Sequence, residues 1–351
     1  MGLNLRIENE RTGYMSREAR YRLWWSLYVL DIIICMMAGR PPGTAIIFCS
    51  TPLPVPFKEE DFPNDRVMQL VADLEARNLV MDELPIRNVK RETPSHRSSG
   101  AQRQTAKPTD TAKSDEVASK CMEILTPNMS LFFVHLVDLV SLMQGSIEEL
   151  YAPAAVQKPD HEIDLTMSTL NDKTDSWLSG LPVAFHFIHG TREFERERCT
   201  LAFCFYMTKI LITKPCLSRL AQQHPGVGPA EKFCTYMAQV CVDVADQMLH
   251  LLPHEPDPIW VYRVSPWWCA VHYLMQPTTV LLVEFFRTKR GTSKHKRLLG
   301  LLSKSISWLD KMSTTDSSAQ RAWLVCRDLL TKHIPGLSPA SPTEPEPESR
   351  S

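Results

Sequence analysis

Between Tyr21 and Ala38 the apolar side chains fall on every side of a helical wheel. Trp24, Leu27, Ile34 and Ala38 lie along one face, Trp25, Val29, Ile32 and Met36 along another, and Leu23, Leu30, Ile33 and Met37 fill the gap. A helix apolar all round is expected to be a buried one. Ser16 suits its N-cap, and Glu18 places a carboxylate in the first turn, where the helix dipole favours it. Gly39 suits the left-handed position after the last turn, and Pro41 and Pro42 cannot continue a helix. Asp31 is the odd residue. Its neighbours one turn away are Leu27, Tyr28, Ile34 and Cys35, so no base on the same helix pairs with it. A buried carboxylate needs a partner. Arg40, if the loop folds back, and the Tyr28 hydroxyl are the two candidates. As a functional group Asp31 would be a ligand or a catalytic acid; the plainer reading is a polar tie between two helices.

Further helical patterns follow. Phe62–Asp82 carries a weak period, and Phe132–Tyr151 is long and mostly apolar. Ile163, Met167, Leu170 and Trp177 recur at helical spacing up to Leu181-Pro182. Glu193–Ile212 opens with interleaved charges and turns apolar before Lys214-Pro215-Cys216-Leu217. Ala230–Leu252, Trp267–Phe286 (bent or broken at Pro277), Leu298–Met312 and Ala319–His333 complete the set. Residues 87–119 have another character, rich in Ser, Thr, Lys and Arg and almost free of large apolar residues, and read as a disordered basic insert. Arg87, Lys90, Arg91, Arg97, Arg103, Lys107 and Lys113 would give it its charge. Ser338–Ser351 is a low-complexity tail. The division is therefore 1–86, a first helical part; 87–119, a linker; 120–335, a second helical part; and 336–351, a disordered tail. The fold expected is all-α, a multi-helix, solenoid-like arrangement without regular internal repeats.

Composition narrows the function. A formal charge of −1 predicts no polyanion partner from bulk electrostatics. Thirteen glycines against 26 prolines favour helices interrupted by proline over a turn-dense β fold. Ten cysteines lie mostly inside apolar helical stretches without a C-x-x-C, and read as buried thiols in a reducing compartment. Two apolar stretches that suggest a membrane, Leu27–Ala38 and Cys269–Phe286, carry Asp31, or His272, Gln276, Pro277 and Glu284, and read as core helices of a soluble intracellular protein rather than membrane spans. G-x-S-x-G, a P-loop, G-x-G-x-x-G and H-E-x-x-H do not occur in the sequence. His135 and Asp138, one turn apart on an apolar helix, read as buried polar ties. His186 with His189 is a weak candidate metal pair. The run from Arg287 to Arg297 packs six Lys or Arg into eleven residues. Within it Lys289, Arg290, Lys294, Lys296 and Arg297 suit a nuclear import signal, the plainer reading being a solvated inter-helix loop.

Arg22-Leu23-Trp24-Trp25-Ser26-Leu27-Tyr28, Leu30-Asp31, Gly39-Arg40-Pro41-Pro42 and Pro52-Leu53-Pro54 stand in an order and spacing that closely resembles the regulatory, middle-homology domain of fungal binuclear zinc-cluster transcription factors. The resemblance singles out Arg22, Trp24, Trp25, Asp31, Gly39, Arg40, Pro41, Pro52, Leu53 and Pro54 as motif positions of structural or regulatory weight. It departs at Ile46-Ile47-Phe48-Cys49-Ser50, where the family carries acidic residues. It continues at Leu150-Tyr151, Trp177–Pro182, Lys214–Leu217 and Trp267–Phe286. Met1-Gly2-Leu3-Asn4 resembles the end of a preceding family helix, so the chain reads as starting inside a domain, through a truncated gene model or a divergent start.

The resemblance implies a nuclear regulator of transcription by RNA polymerase II, of a metabolic or biosynthetic pathway, and not an enzyme. It implies DNA contact only through a separate N-terminal zinc cluster, a homodimer or partner transcription factor, and a small-molecule effector. Six cysteines in two half-sites within about thirty residues would be needed for such a cluster, and this sequence has none. No catalytic, metal or DNA-binding residue and no cofactor are therefore expected in this chain, zinc belonging to the missing cluster. Two alternatives stand beside this reading: a DNA-free helical module that binds partner regulators, and an uncharacterised helical enzyme.

Overall fold

The computed structural model describes residues 3–5, 13–44, 49–86, 88–89, 108–187, 192–222 and 229–333. Among these, twelve α-helices and a few short 3-10 turns make up the regular structure, an all-α fold. The chain divides into two compact units, 1–251 and 252–351.

The first unit holds eight helices: α1 (Tyr14–Ala38), α2 (Asp65–Ala72), α3 (Leu74–Glu83), α4 (Pro108–Ile124), α5 (Met129–Leu150), α6 (Asp160–Ser179), α7 (Glu195–Gln222) and α8 (Pro229–His250). Helix α1 begins three residues, nearly a full turn, earlier than expected. Gly13 occupies the N-cap position without a side-chain cap, and Ser16 lies exposed inside the helix. Its end is as expected: Gly39 sits at φ 63°, ψ 34°, its amide on Met36 and the Arg40 amide on the Cys35 carbonyl.

The expectation that α1 is buried on all sides is corrected. Tyr21, Trp25, Tyr28, Val29, Ile32 and Ile33 pack inward, while Leu23, Leu27, Leu30 and Ile34 are 51%, 41%, 42% and 46% exposed. Three helices, α1, α5 and α7, are long and apolar enough to cross a membrane by length and composition. Within this unit α5 and α7 bury 83% and 72% of that stretch, and α1 only 33%.

The expected linker is also shorter. Asn88 and Val89 are already anchored, their amides donating to Asp138 Oδ1 at 2.7 and 3.1 Å. Residues 108–119 belong to α4, which packs on α2 and α3 through Ala118 and Cys121, with Val117, Met122 and Ile124 flanking them. The apolar stripe that orders this helix is concentrated at its end, past a Ser/Thr/Lys-rich start. Lys113 is exposed on α4; Arg87, Lys90, Arg91, Arg97, Arg103 and Lys107 lie outside the described residues, as do Ile46–Phe48, His189 and the tail from 336.

Helix α7 does not end before Pro215 but runs through it. A helical proline has no amide for the carbonyl four residues back. Here that carbonyl belongs to Leu211, and the Tyr151 hydroxyl donates to it at 2.7 Å from the end of α5. The substitute donor satisfies the carbonyl that the proline leaves without its helical amide.

In the second unit, α9 (Pro258–Val264), α10 (Ala270–Arg287), α11 (Ser293–Ser313) and α12 (Ser317–His333) close around Val261, Leu274, Leu281, Phe285, Leu302, Trp308, Leu309 and Cys326. Helix α10 is unbroken through Pro277. Asp316 caps α12, accepting the Ser318 and Ala319 amides.

Candidate functional site

The motif residues converge where the chain returns along α1. Pro52, Pro54 and Pro56 cannot donate backbone hydrogen bonds, so this segment is unsuited to a sheet, and its carbonyls need donors from elsewhere. Two motif side chains and two others supply them. Trp25 Nε1 donates to the Pro52 carbonyl at 2.8 Å, Arg77 Nη1 to Leu53 at 2.9 Å and Arg22 Nη2 to Phe57 at 2.7 Å. Asn128, which also caps α5, donates to Pro56 at 3.0 Å. The order 57, 52, 44 against 22, 25, 31 shows the return segment retracing α1 backwards.

At the base of this clamp Glu18, 1% exposed, joins both sides. Its Oε1 accepts the Val55 amide at 2.9 Å and Arg22 Nε at 3.3 Å, and its Oε2 lies 2.8 Å from Arg77 Nη1. Arg77 is itself only 3% exposed and stacks over the Tyr21 ring. Neither buried charge is left without an opposite charge, which is the condition for tolerating it. At the other end Asp31 Oδ2 accepts both the Thr44 amide (2.7 Å) and the Thr44 hydroxyl (2.6 Å). Burial acts to raise the Asp31 carboxyl, but hydrogen bonds from Thr44, Cys35 and the Gly43 amide outweigh it and hold the pKa below its usual value.

Asp31 therefore ties down the loop after α1, its hydrogen bonds coming from Thr44, Gly43 and Cys35 rather than from Arg40 or Tyr28. Tyr28 instead donates to Gln144 Oε1 on α5 at 2.6 Å, and burial pushes its hydroxyl pKa up. Arg40 and Pro41 are exposed, Leu53 and Pro54 buried, and Trp24 half-buried. Sequence reasoning missed the Glu18–Arg77 pair, since Glu18 carried only a dipole argument and Arg77 no signal.

The basic run is partly helical, contrary to a simple loop. Lys294, Lys296 and Arg297 stand in the first turns of α11. Glu284 pairs with Arg287 (2.8 Å) and Lys294 (2.6 Å), and Arg290 donates to the His333 carbonyl. Lys289, Lys296 and Arg297 are exposed.

Residues 1–178, just over half of the chain and including the whole clamp, match the family described as the fungal specific transcription factor domain. The chain belongs to this family. It is 27% identical to the transcription regulator galc of Aspergillus niger over 378 aligned positions, covering 96% of this chain and 43% of that protein. It is also 40% identical, over 53 residues, to an uncharacterized transcriptional regulatory protein of Schizosaccharomyces pombe, covering 15% of this chain and 7% of that protein. The chain thus spans less than half the length of these relatives. No solved structure matches it. A family of transcription regulators gives the chain a regulatory role in transcription, and the clamp lies within the matched residues.

Proposed function

We propose that the chain is the regulatory, non-enzymatic part of a nuclear transcription factor, which relays an input to RNA polymerase II transcription of a metabolic or biosynthetic pathway. DNA is contacted through a zinc-cluster domain outside this chain. The family match over residues 1–178 carries this reading. The clamp supports it, since Arg22, Trp25 and Asp31 spend polar groups on holding backbone in place. The exposed Lys289, Lys296 and Arg297 support nuclear import. The test joins the whole chain to an unrelated DNA-binding domain in a fungal cell carrying its reporter. A change in reporter output that is lost on Trp25→Ala supports the proposal; unchanged output, with the fusion present in the nucleus, overturns it.

A second reading, a module that works by pairing with a second copy of itself, is favoured by one observation. Leu23, Leu27, Leu30 and Ile34 are exposed at spacings of four, three and four, the seam by which two helices pair. Because these side chains already face solvent, Leu27→Glu with Leu30→Glu should cost less than about 0.5 kcal/mol each in stability. Sedimentation of the chain and of this double variant decides it. A dimer abolished by the substitutions supports pairing, and a monomer in both cases refutes it.

A further inference from the structure

Helices α6, α7 and α8 bring together two thiols that the clamp does not use. Cys216 Sγ on α7 lies 3.3 Å from Cys234 Sγ on α8, and the two residues are 0% and 5% exposed. Arg219 Nη2 stands 3.3 Å from Cys216 Sγ and donates to Asp164 Oδ1 on α6 at 2.6 Å, while its Nη1 is 3.7 Å from Asp160. Met167 Sδ is 4.0 Å from Cys216 Sγ. The Asp164 carboxylate and both sulfurs lie within 4.8 Å of one another, a spacing that would also suit a metal ion. Arg219 opposes that use, because its cation already stands against both Asp164 and Cys216.

We propose that Cys216 and Cys234 are a redox-active dithiol, converted by a hydroperoxide into an intrachain disulfide that ties α7 to α8. A disulfide needs sulfurs about 2.05 Å apart, so the two must approach by only about 1.3 Å, within reach of side-chain rotation. Cys216 loses its proton to solvent, and its thiolate, facing the Arg219 guanidinium, attacks the peroxide oxygen. The O–O bond breaks, and hydroxide leaves and takes up a proton as water. Cys234 sulfur, giving up its proton, then attacks the sulfenic sulfur of Cys216, and the S–O bond breaks with release of a second water. Two thiols and one hydroperoxide yield one disulfide and two waters (for an organic peroxide, one water and the alcohol); the thiols give up two electrons and the peroxide takes them.

The reaction is slow at neutral pH. Burial, reinforced by Cys234, pushes the Cys216 thiol up to about 12, while Arg219 pulls it back. The charged and titratable groups facing it are Asp164 and Asp160 from α6, Arg219 from α7 and Cys234 from α8. Below that value the thiolate fraction, and with it the rate, rises about tenfold per pH unit.

The test treats the reduced full chain with hydrogen peroxide, then denatures, alkylates and maps it with trypsin without reduction. Peptide 210–219 should appear joined to 233–263, with Cys216 and Cys234 of the unaltered chain losing alkylation in step and about tenfold faster at pH 9 than at pH 8. The joined peptide should vanish in Cys234→Ser and persist in Cys241→Ser. Oxidation of other cysteines while Cys216 and Cys234 remain alkylatable overturns the proposal, and this arm needs no variant. Persistence of the cross-link in Cys234→Ser overturns it as well. So does one equivalent of zinc retained against a chelator by both thiols, which would make the nest a metal site.

Discussion

Acidification should destabilise the first unit through His135. This residue is 1% exposed on α5, its ring 6.4 Å from that of Phe185, and neither ring nitrogen has a hydrogen-bond partner. Burial lowers its pKa from 6.5 to about 4. The unfolded chain therefore takes up a proton near pH 6.5, while the folded chain resists it down to about pH 4. Between these values the unfolded state binds more protons, so stability rises with pH: it is intact above 6.5 and is lost progressively as pH falls toward 4. At pH 5 the loss from this one group is about 2 kcal/mol, and below pH 4 it reaches about 3 kcal/mol. Other groups titrate over the same range, so the measurement is a double difference. Urea unfolding of the chain and of His135→Leu, each at pH 7.5 and pH 5, isolates the histidine. Leucine keeps the site apolar and removes the unpaired nitrogens. The gap between the two proteins should move by about 2 kcal/mol in favour of the variant on going to pH 5. A gap that is the same at both pH values, within about 0.5 kcal/mol, refutes the argument that His135 is neutral and desolvated in the fold.

Three other outcomes follow from the same structure. Glu18→Ala leaves Arg77 buried without its counter-charge and should cost about 3 to 5 kcal/mol in urea unfolding, whereas Glu59→Ala, at an exposed 3.8 Å contact with Arg22, should cost less than about 1 kcal/mol. Tyr151→Phe deprives the Leu211 carbonyl of its donor and should cost about 0.5 to 1.5 kcal/mol. That cost should shrink in a Pro215→Ala background, where a backbone amide is restored. Asp31→Ala releases Thr44 and should speed hydrogen exchange at its amide, while Asp31 in the unaltered chain should keep that amide protected until pH falls below the ordinary carboxylate range.

What the sequence revealed, and what it hid, divides by range. The end of α1 was legible because Gly39, Pro41 and Pro42 act within one turn, and the helical class was legible because the apolar periods are long. The exposed stripe was not. Leu23, Leu27, Leu30 and Ile34 have the same hydropathy as the buried Ile32 and Ile33, and a wheel that is apolar all round cannot say which face meets a neighbour. Helix α4 was hidden by averaging, since its first ten residues match a disordered composition and the side chains that reach the core, Ala118 and Cys121 with Val117, Met122 and Ile124 beside them, are gathered toward its end. Pro215 read as a stop because the donor to its orphaned Leu211 carbonyl is Tyr151, sixty residues before that carbonyl.

The same distinction explains the motif. Arg22, Trp25 and Pro52 could be recognised together, but their physical relation is that of donor and deprived carbonyl: three prolines strip the return segment of amides, and indole and guanidinium groups bond its carbonyls. Once this is seen, Arg77 belongs to the motif as fully as Arg22 does, although it lies outside the recognisable string. Substituting Trp25 or Arg77 should therefore loosen the same segment. Asp31, fixed to Thr44 at the far end, holds a separate loop. The Cys216–Cys234 nest lay beyond sequence reasoning for a related reason. Its members come from three helices, and Cys234 meets Cys216 across the packing of α8 on α7, a contact that no spacing along the chain encodes.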